Sequence, residues 1–432
     1  MNILIIGNGA REHALCWSVK SSPLCHKLYC CPGNAGISKI AECIAIDPLD
    51  NNKIIDFVQT NQINFVIIGP EAPLINGIVN QLEKIGVKTF GPTAEAAILE
   101  GSKVFTKNFC LKYNIPTAAY KSFTDPIKAK EFITQINLPC VIKADGLAGG
   151  KGVIIASTLD EANKSIDLML HTKAFGQAGS TIIIEEYLEG EEISFFALSD
   201  GTTGKFLACA QDHKRIGEND TGLNTGGMGA YTPVPFIKEQ DIFTIMQSII
   251  EPTIKGMGYE NKPFKGVLFA GLMMTKNGPK LLEYNVRFGD PECQVICMLL
   301  KSDLLELLYA TLDRTLKNKK IDWHPGYAID VIMASQGYPQ TYKSGTKVIG
   351  LENIETNNTK IFHYLTSFDQ HKNLTINSGR GLAITSKELS LKKARDLTYA
   401  TIKKINWPEG YYRRDIAERV LEKNIFDSEQ KS

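Results

Sequence analysis

The stretch LEYNVRFGDPE, from Leu282 to Glu292, is the part of the chain around which the rest is organised. It begins as a strand end, and because alternate side chains of a strand share one face, Glu283, Asn285 and Arg287 point the same way. A carboxylate and an amide oxygen suit Mg²⁺ better than zinc. Arg287 can form a bidentate contact with a carboxylate or a phosphate. The alternative interpretation is a polar strand edge followed by a β-turn over 288–291.

The length and composition are those of a multidomain globular protein. The 432 residues are too many for one core, so we expect roughly two to four domains. The 48 basic and 47 acidic residues leave a net charge of +1, which gives no support to nucleic-acid binding. The apolar start at 1–6 predicts a strand rather than a signal peptide, and no apolar run is long enough for a membrane span. We therefore expect a cytoplasmic protein without nucleic-acid or membrane partners.

The ten cysteines are scattered and form no Cys-x-x-Cys pair. We expect buried free thiols, as in a reducing cytosol, with disulfides or a metal cluster as the alternatives. The seven histidines show no zinc-ligand spacing.

The first hundred residues predict a parallel sheet. A strand at 2–6 runs into a glycine loop at 7–9 and then a helix, an arrangement that aims backbone N–H groups at an anion. Later strands also end in glycine-bearing loops, which would lie together at the carboxyl ends of the strands. The first loop resembles a dinucleotide-binding fingerprint, but Glu12 occupies the third glycine position, which weakens NAD binding as an alternative.

Later segments divide the chain further. Residues 122–188 predict a small α+β unit inserted in a larger one, and the chain becomes rich in strands from Ile193. The glycine-dense stretch 219–231 is typical of a functional loop, and a final α+β domain follows Trp323. The predicted domains are residues 1–103, residues 104–121 together with 189–325, the inserted unit 122–188, and residues 326–432.

A glycine-rich loop at 145–152 separates two predicted strands. Four glycines in eight residues let the backbone approach phosphate oxygens, and Lys151 adds a positive charge. The loop lacks the Walker A pattern, and its alternative interpretation is a mobile hairpin. Lys103 and Lys143 could neutralise nucleotide phosphates, although a lone lysine is more often a solvated charge.

The next strand leads into EEYLEGEE at 185–192. A strand leaving a sheet edge offers N–H and C=O groups to adenine, and Glu192 could hold ribose hydroxyls; the alternative is an acidic turn. The chain thus carries, in order, a lysine, a strand lysine with a glycine loop, an adenine edge and a metal pair. That order resembles the ATP-grasp superfamily of carboxylate–amine ligases.

Within that superfamily, the chain resembles the glycinamide ribonucleotide synthetase (phosphoribosylamine–glycine ligase) family, from about residue 2 to residue 420. The resemblance is carried by IGNGAREHAL, PGNAG, GPEAPL, EGSKVFTK, VIKADGLAGGKGV, EEYLEGEE, QDHKR, NTGGMGAY and RFGDPE. Three positions depart from the family pattern. Ala10 stands where glycine is usual, Cys293 where threonine is usual, and Tyr364-Leu365 interrupts an expected Phe-His-Ala-Gly-Thr.

The resemblance implies a multidomain α/β and α+β fold. An N-terminal parallel-sheet domain, of the kind that precedes an ATP-grasp unit, would be followed by ATP-grasp domains with the inserted lid domain and by a small C-terminal α+β domain. The implied reaction ligates glycine to 5-phosphoribosylamine with ATP, through a glycyl phosphate, and gives glycinamide ribonucleotide, ADP and phosphate in purine synthesis. ATP would be a substrate, Glu283 and Asn285 would hold Mg²⁺ or Mn²⁺, and the protein would act as a monomer.

The resemblance also implies which residues meet each substrate. ATP would contact Lys103, Lys143, Gly149, Gly150, Lys151, Gly152, Glu185, Glu186, Leu188 and Glu192. Phosphoribosylamine would contact Asn8, Gly9, Arg11, Glu12, His13, Gly33, Asn34, Gly36, Pro70 and Glu71. Glycine would contact Asp212, Arg287, Gly289 and Asp290, and the catalytic candidates are Arg287, Asp212 and Lys143. No general base is assigned; His13 and His213 are candidates whose alternative role is hydrogen bonding.

Three other functions are alternatives. A formate-using transformylase or a biotin carboxylase would share the ATP half, but the motifs at 8–13 and 287–292 argue against both. A regulatory nucleotide-binding module would be expected to lose the metal pair or the lysines of the lid. An NAD dehydrogenase is disfavoured by Glu12.

Overall fold

The computed structural model describes residues 1–147, 152–172 and 179–429 of the chain. The first part is a five-stranded, wholly parallel sheet in the order β3-β2-β1-β4-β5. Its strands are β1 (Asn2–Gly7), β2 (Lys27–Pro32), β3 (Glu42–Cys43), β4 (Phe65–Ile68) and β5 (Lys88–Phe90), and its helices are α1 (Ala10–Lys20), α2 (Asn51–Thr60), α3 (Glu71–Ile75), α4 (Ile78–Lys84) and α5 (Ala94–Gly101). The apolar residues of β1 are fully buried, as expected for a strand covered on both faces.

The strand order places a ligand crevice beside β1. Because the chain runs outward from β1 to β2 on one side and to β4 on the other, the loops after these strands diverge and leave a gap between them. The predicted parallel sheet, with its glycine loops at one edge, is confirmed.

The inserted unit has its own sheet and its own hydrophobic core. Helix α6 (Lys103–Lys112) leads into it, and its elements are β6 (Tyr120–Phe123), α7 (Pro126–Ile133), β7 (Cys140–Ala144), β8 (Val153–Ala156), α8 (Leu159–Ile166) and β9 (Ile182–Glu186). The four strands are antiparallel in the order β6-β9-β7-β8. Asp125 and Thr158 cap α7 and α8 through their side-chain oxygens, as the sequence predicts.

The rest of the chain contains one large antiparallel sheet and two small separate sheets. Its central part contains β10 (Glu191–Asp200), β11 (Gly204–Asp212), β12 (Arg215–Gly217), β13 (Thr221–Asn224), β14 (Gly229–Thr232), α9 (Glu239–Ile245), α10 (Glu251–Tyr259), β15 (Lys265–Thr275), β16 (Gly278–Asn285), α11 (Glu292–Leu299) and α12 (Leu304–Ala310). The C-terminal part contains β17 (Tyr327–Ser335), β18 (Thr346–Lys347), β19 (Thr359–His363), β20 (Thr366–Phe368), β21 (Leu374–Ile376), β22 (Arg380–Glu388), α13 (Leu391–Ile402), β23 (Gly410–Tyr411) and α14 (Glu418–Glu429).

Hydrogen bonding continues from the central part into the C-terminal part. The main strand order is β16-β15-β10-β11-β14-β17-β22-β19, with β23 paired to β17, so the sheet passes without a break from β14 to β17. The C-terminal part is therefore fixed rigidly against the central sheet, and it can place side chains next to the stretch 282–292.

All ten cysteines have free thiols, which confirms the expectation from their spacing. Within the described ranges, no helix combines the length and the apolar character that a membrane crossing requires.

Candidate active site

The predicted metal pair lies at the end of β16, as expected. The register of β15 with β16 shifts at Leu282, which forms a β-bulge directly before Glu283. The bulge leaves the alternation from Glu283 to Asn285 intact. The carbonyl oxygen of Leu282 accepts a hydrogen bond from Lys143 Nζ at 3.3 Å. A cation of the inserted unit therefore lies beside β16, which we call the metal strand because it carries the predicted metal pair.

The Glu283 carboxylate is surrounded by positive charge. Burial alone would raise its pKa, but attraction by four cations outweighs burial and lowers the pKa below its ordinary value. Those cations are Lys214, Lys143, Lys103 and Arg287. Among the described residues, none forms a direct ion pair with Glu283, and no cluster of three acidic, histidine or cysteine side chains is arranged to hold a metal ion. An ionised carboxylate beside an amide oxygen fits a hard cation that takes its other ligands from water and phosphate.

Arg287 is bound mainly by protein groups. Its Nε donates to Glu71 Oε2 at 3.0 Å, and its Nη2 donates to Glu100 Oε1 at 3.0 Å and to Asn285 Oδ1 at 3.1 Å. Its Nη1 donates to the carbonyl oxygen of Phe288 at 3.2 Å. The guanidinium has five N–H donors, so one Nη1 hydrogen is not engaged by a described residue. The predicted contact of Arg287 with the glycine carboxylate stays a prediction that depends on this donor.

Two carboxylates of the N-terminal part thus reach the metal strand. Glu71 is the first residue of α3, directly after Pro70. Burial alone would raise its pKa, but attraction by Arg287 and Arg11, together with hydrogen bonds, outweighs burial and lowers the pKa. Glu100 was not predicted as a site residue. Burial raises the pKa of Glu100 to about 6, despite the attraction of Arg287.

Lys143 and Glu185 form a buried ion pair. Lys143 Nζ lies 2.9 Å from Glu185 Oε2, and Lys107 Nζ lies 3.2 Å from Glu185 Oε1. All three side chains are less than a tenth exposed. The predicted contacts of Lys143 with phosphate and of Glu185 with adenine therefore involve two side chains that are already paired with each other.

Glu186 and Leu188, which follow Glu185 in the predicted adenine-binding segment, have different surroundings from Glu185. Glu186 Oε1 accepts hydrogen bonds from the backbone N–H of Ala119 at 3.0 Å and from Lys280 Nζ at 2.9 Å, and Leu188 is buried. The backbone of this segment, rather than the side chain of Glu186, is therefore the part that could meet adenine. A cavity of about 810 Å³ borders the segment on the side of Lys280. Neither Lys143 nor Glu283 lines that cavity, so it is not the phosphate site.

The base of the glycine loop is tied to the start of α6. Asp145 Oδ1 accepts hydrogen bonds from Ser102 Oγ and from the backbone N–H of Val104, both at 3.1 Å. Lys103 Nζ donates to the carbonyl oxygen of Gly146 at 2.9 Å. Gly152 closes the loop, since its carbonyl oxygen accepts a bond from Ala144. The predicted phosphate-binding residues Gly149, Gly150 and Lys151 lie outside the described residues.

Lys214 is a central cation that the sequence-based prediction missed. It forms an ion pair with Glu192 Oε1. Burial alone would lower the pKa of Lys214, but Glu192, Glu283 and Asp212 raise it, so the lysine stays charged. Lys214 follows the predicted residue Asp212 by two positions at a strand end, and this alternation is the signal that could have identified it.

Asp212 and Glu292 form an electronegative pair. Asp212 Oδ1 is buried and has no hydrogen-bond partner among the described residues, and burial followed by repulsion from Glu292 raises the pKa of Asp212 well above its ordinary value. Glu292 is also buried, and its Oε1 accepts a hydrogen bond from Ser194 Oγ at 2.7 Å. Two close carboxyl groups favour a cation between them, which supports the predicted contact of Asp212 with an ammonium group.

Asp290 is held by residues from the C-terminal part. Its Oδ1 accepts hydrogen bonds from Tyr364 Oη at 2.7 Å and from Gln294 Nε2 at 2.9 Å. Its carbonyl oxygen accepts one from Arg380 Nη1 at 2.9 Å, and the guanidinium of Arg380 lies 4.6 Å from the centre of the Tyr364 ring. At the neighbouring Gly289, an added Cβ would lie 2.3 Å from an oxygen of Glu292, so the turn at this point has no room for a side chain.

The side chain of Glu12 fills the crevice beside β1. Its Oε2 accepts a hydrogen bond from the backbone N–H of Gly9 at 2.7 Å, and its Oε1 accepts one from Arg11 Nε at 2.6 Å. A Cβ added at Gly7 or Gly69 would lie within 2.3 Å of Glu12. The expectation that the N–H groups of this loop face an anion therefore does not hold for Gly9, because the Glu12 side chain pairs with its N–H.

The crevice adjoins the turn that follows the metal strand. Arg11 Nη1 donates to the carbonyl oxygen of Phe288 at 3.1 Å, and an added Cβ at Gly9 would lie 3.4 Å from Asp290 Oδ2. The structure thus brings the predicted sugar-phosphate loop next to the predicted glycine-binding residues.

Asn34 organises the second glycine loop. Its Nδ2 donates to the carbonyl oxygens of Asn8 at 2.9 Å and His363 at 2.8 Å, and its Oδ1 accepts the N–H groups of Gly36 and Ile37 at 2.9 Å. The amide therefore uses both its donors and two acceptor sites within the protein. Gly33 begins this loop with a φ of +73°, which favours glycine. A ribose contact of Asn34 stays a prediction.

The two candidate histidines serve as neutral hydrogen-bonding groups. His13 Nδ1 accepts the backbone N–H of His363 at 2.9 Å, and burial lowers the pKa of His13 well below its ordinary value. His213 Nε2 accepts the N–H of Ala417 at 3.2 Å, its Nδ1 lies 3.2 Å from the carbonyl oxygen of Gly229, and burial lowers its pKa to about 4. A general-base role for either histidine has no support in this geometry.

Comparison with known proteins gives the family. Family models of phosphoribosylglycinamide synthetase match the chain in three consecutive parts: the N domain at 1–100, the ATP-grasp (A) domain at 101–293 and the C domain at 328–419. Together they cover most of the 432 residues.

Individual relatives agree with the family models. The chain is 49% identical over 418 residues to the chloroplastic phosphoribosylamine–glycine ligase of Arabidopsis thaliana, covering 95% of this chain and 79% of the relative. It is 48% identical over 421 residues to phosphoribosylamine–glycine ligase of Rhizobium meliloti, covering 98% and 99%.

Solved structures show the same relationship. The structure of phosphoribosylamine–glycine ligase from Thermotoga maritima matches with a TM-score of 0.84 at 29% identity, over 96% of this chain and all of that one. A biotin carboxylase domain of Hydrogenobacter thermophilus 2-oxoglutarate carboxylase matches with a TM-score of 0.73 at 16% identity, over 95% and 91%, which shows a common fold alone. The chain belongs to the phosphoribosylglycinamide synthetase family.

Proposed function

We propose that the chain catalyses the ATP-dependent ligation of glycine to 5-phosphoribosylamine, which yields glycinamide ribonucleotide, ADP and phosphate in purine synthesis. The observation that carries the proposal is the junction at Phe288, where Arg11 and Arg287 donate to one carbonyl oxygen. Arg11 lies in the crevice beside the N-terminal sheet, and Arg287 lies in the turn that follows β16, the strand that carries Glu283 and Asn285. A crevice for a sugar phosphate and a site for nucleotide phosphates therefore share a wall.

The reaction requires activation of a poor electrophile. A carboxylate oxygen of glycine attacks the γ-phosphorus of ATP, ADP leaves, and glycyl phosphate forms. The amine nitrogen of phosphoribosylamine then attacks the acyl carbon, the carbon–oxygen bond to phosphate breaks, and the nitrogen loses a proton. The protein's part in both steps is to position the reactants and to neutralise charge. The lysines around Glu283 supply that positive charge.

Glu283 and Asn285 are the residues that we propose to hold the divalent cation. Their oxygens are of the type that Mg²⁺ prefers, and Mn²⁺ is the alternative. When bound, the ion would neutralise charge on the phosphate oxygens. Lys103 and Lys143 lie near enough to Glu283 to lower its pKa, so they are suited to meet the same phosphates.

Glycine is proposed to bind between Asp212 and the turn at 289–290. The carboxyl groups of Asp212 and Glu292 would attract its ammonium group, and the spare Nη1 donor of Arg287 would meet its carboxylate. Asp290 is fixed in place by Tyr364 and Gln294, which gives the turn a defined shape.

Phosphoribosylamine is proposed to bind in the crevice beside β1. Glu12 already occupies the N–H of Gly9, so we expect the carboxylates there to accept from ribose hydroxyls rather than to face the phosphate. His13, Gly33 and Gly36 shape the surrounding loops. We propose that the chain acts as a monomer, and the ten free thiols support a cytoplasmic location.

Transfer of an oxygen isotope from glycine to phosphate tests for the glycyl phosphate intermediate. Glycine labelled with ¹⁸O in its carboxylate should transfer one ¹⁸O atom to each inorganic phosphate, because the oxygen that attacks the γ-phosphorus leaves with it. Mass spectrometry of the phosphate measures the transfer. Unlabelled phosphate formed together with the amide product would contradict the glycyl phosphate intermediate.

A further inference from the structure

Three charged side chains, Lys107, Glu185 and Lys143, form a buried cluster at the predicted adenine-binding segment 185–192. Glu185 is 2% exposed and lies between the two lysines, with Lys143 Nζ at 2.9 Å and Lys107 Nζ at 3.2 Å. We propose that Lys107 is a positioning residue that keeps the Glu185 carboxylate neutralised, so that Lys143 can leave Glu185 and bind the nucleotide phosphates. This inference rests on the proposed function in one respect: it takes ATP as the ligand of Lys143.

The two lysines are held differently. Lys107 Nζ also donates hydrogen bonds to Thr117 Oγ1 at 2.7 Å and to the carbonyl oxygen of Ala118 at 3.3 Å, so two neutral acceptors hold it beside Glu185. Thr117 Oγ1 in turn donates to the carbonyl oxygen of Leu281, which fixes this corner to the metal strand. Lys107 is therefore anchored where it stands.

Lys143 has fewer partners among the described residues. Its Nζ meets Glu185 Oε2 at 2.9 Å and the carbonyl oxygen of Leu282 at 3.3 Å. It lies at the mouth of the glycine loop and close enough to Glu283 to lower the pKa of that carboxyl group. Of the two lysines, Lys143 is the one that faces the proposed phosphate site.

The charge balance explains why two lysines are needed. If Lys143 turned to a phosphate and Glu185 had no other partner, a buried carboxylate would be left without a counterion, which is strongly unfavourable. Lys107 removes that cost, because Glu185 keeps one positive neighbour in both states. Without Lys107, Glu185 would hold Lys143 back from the nucleotide.

The test is nucleotide affinity, measured by calorimetry with a non-hydrolysable ATP analogue and Mg²⁺. Lys107→Met should weaken binding by about tenfold or more, since Lys143 is then retained by Glu185. Lys107→Arg keeps the charge and should bind within about threefold of the wild type. Lys112→Met, which removes an exposed lysine from the same helix, is the matched control and should leave affinity unchanged.

A rescue experiment separates positioning from structural damage. In Lys107→Met/Glu185→Gln the uncompensated carboxylate is gone, so affinity should return to that of Glu185→Gln alone. Near-normal binding by Lys107→Met would overturn the proposal, and so would a double variant that folds but binds no better than Lys107→Met. If Lys107→Met does not fold, the double variant alone decides: binding weaker than that of Glu185→Gln by tenfold or more, about 1.4 kcal/mol, would refute the inference. The inference is tested by nucleotide affinity, whereas the proposed function is tested by product formation. Either one can therefore fail while the other holds.

Discussion

Arg11 and Arg287 donate hydrogen bonds to the same acceptor, the carbonyl oxygen of Phe288, at 3.1 and 3.2 Å. The two residues are far apart in the chain: Arg11 lies in α1, and Arg287 lies in the turn that follows β16. Their shared acceptor connects the crevice beside β1 to the strand that carries Glu283. This contact is the structural basis for proposing that two substrates bind to separate parts of the chain and react where those parts meet.

Arg11→Lys should weaken phosphoribosylamine binding selectively. Lysine keeps the charge but cannot bridge Glu12 and Phe288 with one planar group, so the loop at 8–13 loses its connection to the turn. We expect the KM for phosphoribosylamine to rise about tenfold, the effect of losing one charge-assisted hydrogen bond, with nucleotide affinity unchanged. Steady-state kinetics and calorimetry measure the two quantities. Arg314→Lys, at an exposed position, is the control, and equal losses of ATP and sugar-phosphate affinity would show that the site is misplaced.

Glu283→Gln should abolish turnover while the fold is kept. The substitution is nearly isosteric and removes the negative charge that faces the surrounding lysines. Losing a phosphate-bridging cation costs several kcal/mol of transition-state stabilisation, so kcat should fall by at least about a hundredfold. Circular dichroism checks the fold, and Glu352→Gln, on an exposed loop, is the control. Activity close to normal at ordinary Mg²⁺ concentrations would refute the assignment of Glu283.

Tyr364→Phe should affect the use of glycine more than the binding of ATP. The hydroxyl group donates to Asp290 Oδ1 at 2.7 Å, and removing it frees the turn that we expect to contact glycine. The loss of one hydrogen bond to a charged group should lower kcat/KM for glycine about tenfold. Tyr342→Phe is the matched control. A kcat/KM for glycine that stays at the wild-type value would mean that Tyr364 has no positioning role.

The stretch 282–292 could be interpreted from sequence because its chemistry depends on local alternation. Glu283 and Asn285 are neighbours on one strand, and their common direction follows from strand geometry whatever the fold. The parallel sheet of the first domain could similarly be predicted, since alternating β and α segments favour a parallel sheet. The bulge at Leu282 was not, because it depends on the register with β15.

Residues that reach the site from distant segments could not be predicted. Glu100, Tyr364 and Arg380 contact Arg287 or Asp290 from elements that are remote in sequence. The sequence alone contains no signal for such pairs. The pairing of Glu12 with Gly9 is local, because a glutamate three residues after the N-cap can reach back to the N-cap N–H, and that spacing is visible in the sequence.

The contribution of the buried histidines to stability should fall as the pH drops below about 6.5, because these side chains must stay neutral in the native protein. Burial lowers the pKa of His213 to about 4 and that of His363 to about 3, whereas both have an ordinary value of 6.5. Between 6.5 and these values, the two histidines bind protons in the unfolded chain but not in the native chain, so their contribution to the free energy of unfolding decreases as pH falls. Each histidine contributes about 1.4 kcal/mol per pH unit.

Urea unfolding at several pH values between 5 and 7 measures this slope. His363→Asn should reduce the slope by the contribution of one proton, and His371→Asn, at an exposed position, should leave it unchanged. A slope that is the same in His363→Asn as in the wild type would mean that His363 titrates normally in the native protein.

The most direct test of the account is the stoichiometry of the complete reaction. The protein is incubated with ATP, Mg²⁺, glycine and 5-phosphoribosylamine, and ADP, phosphate and glycinamide ribonucleotide are quantified together. We predict equal amounts of all three products and no amide product when either glycine or phosphoribosylamine is omitted. ADP formed without the amide, or an amide formed from another acid in preference to glycine, would contradict the central claim.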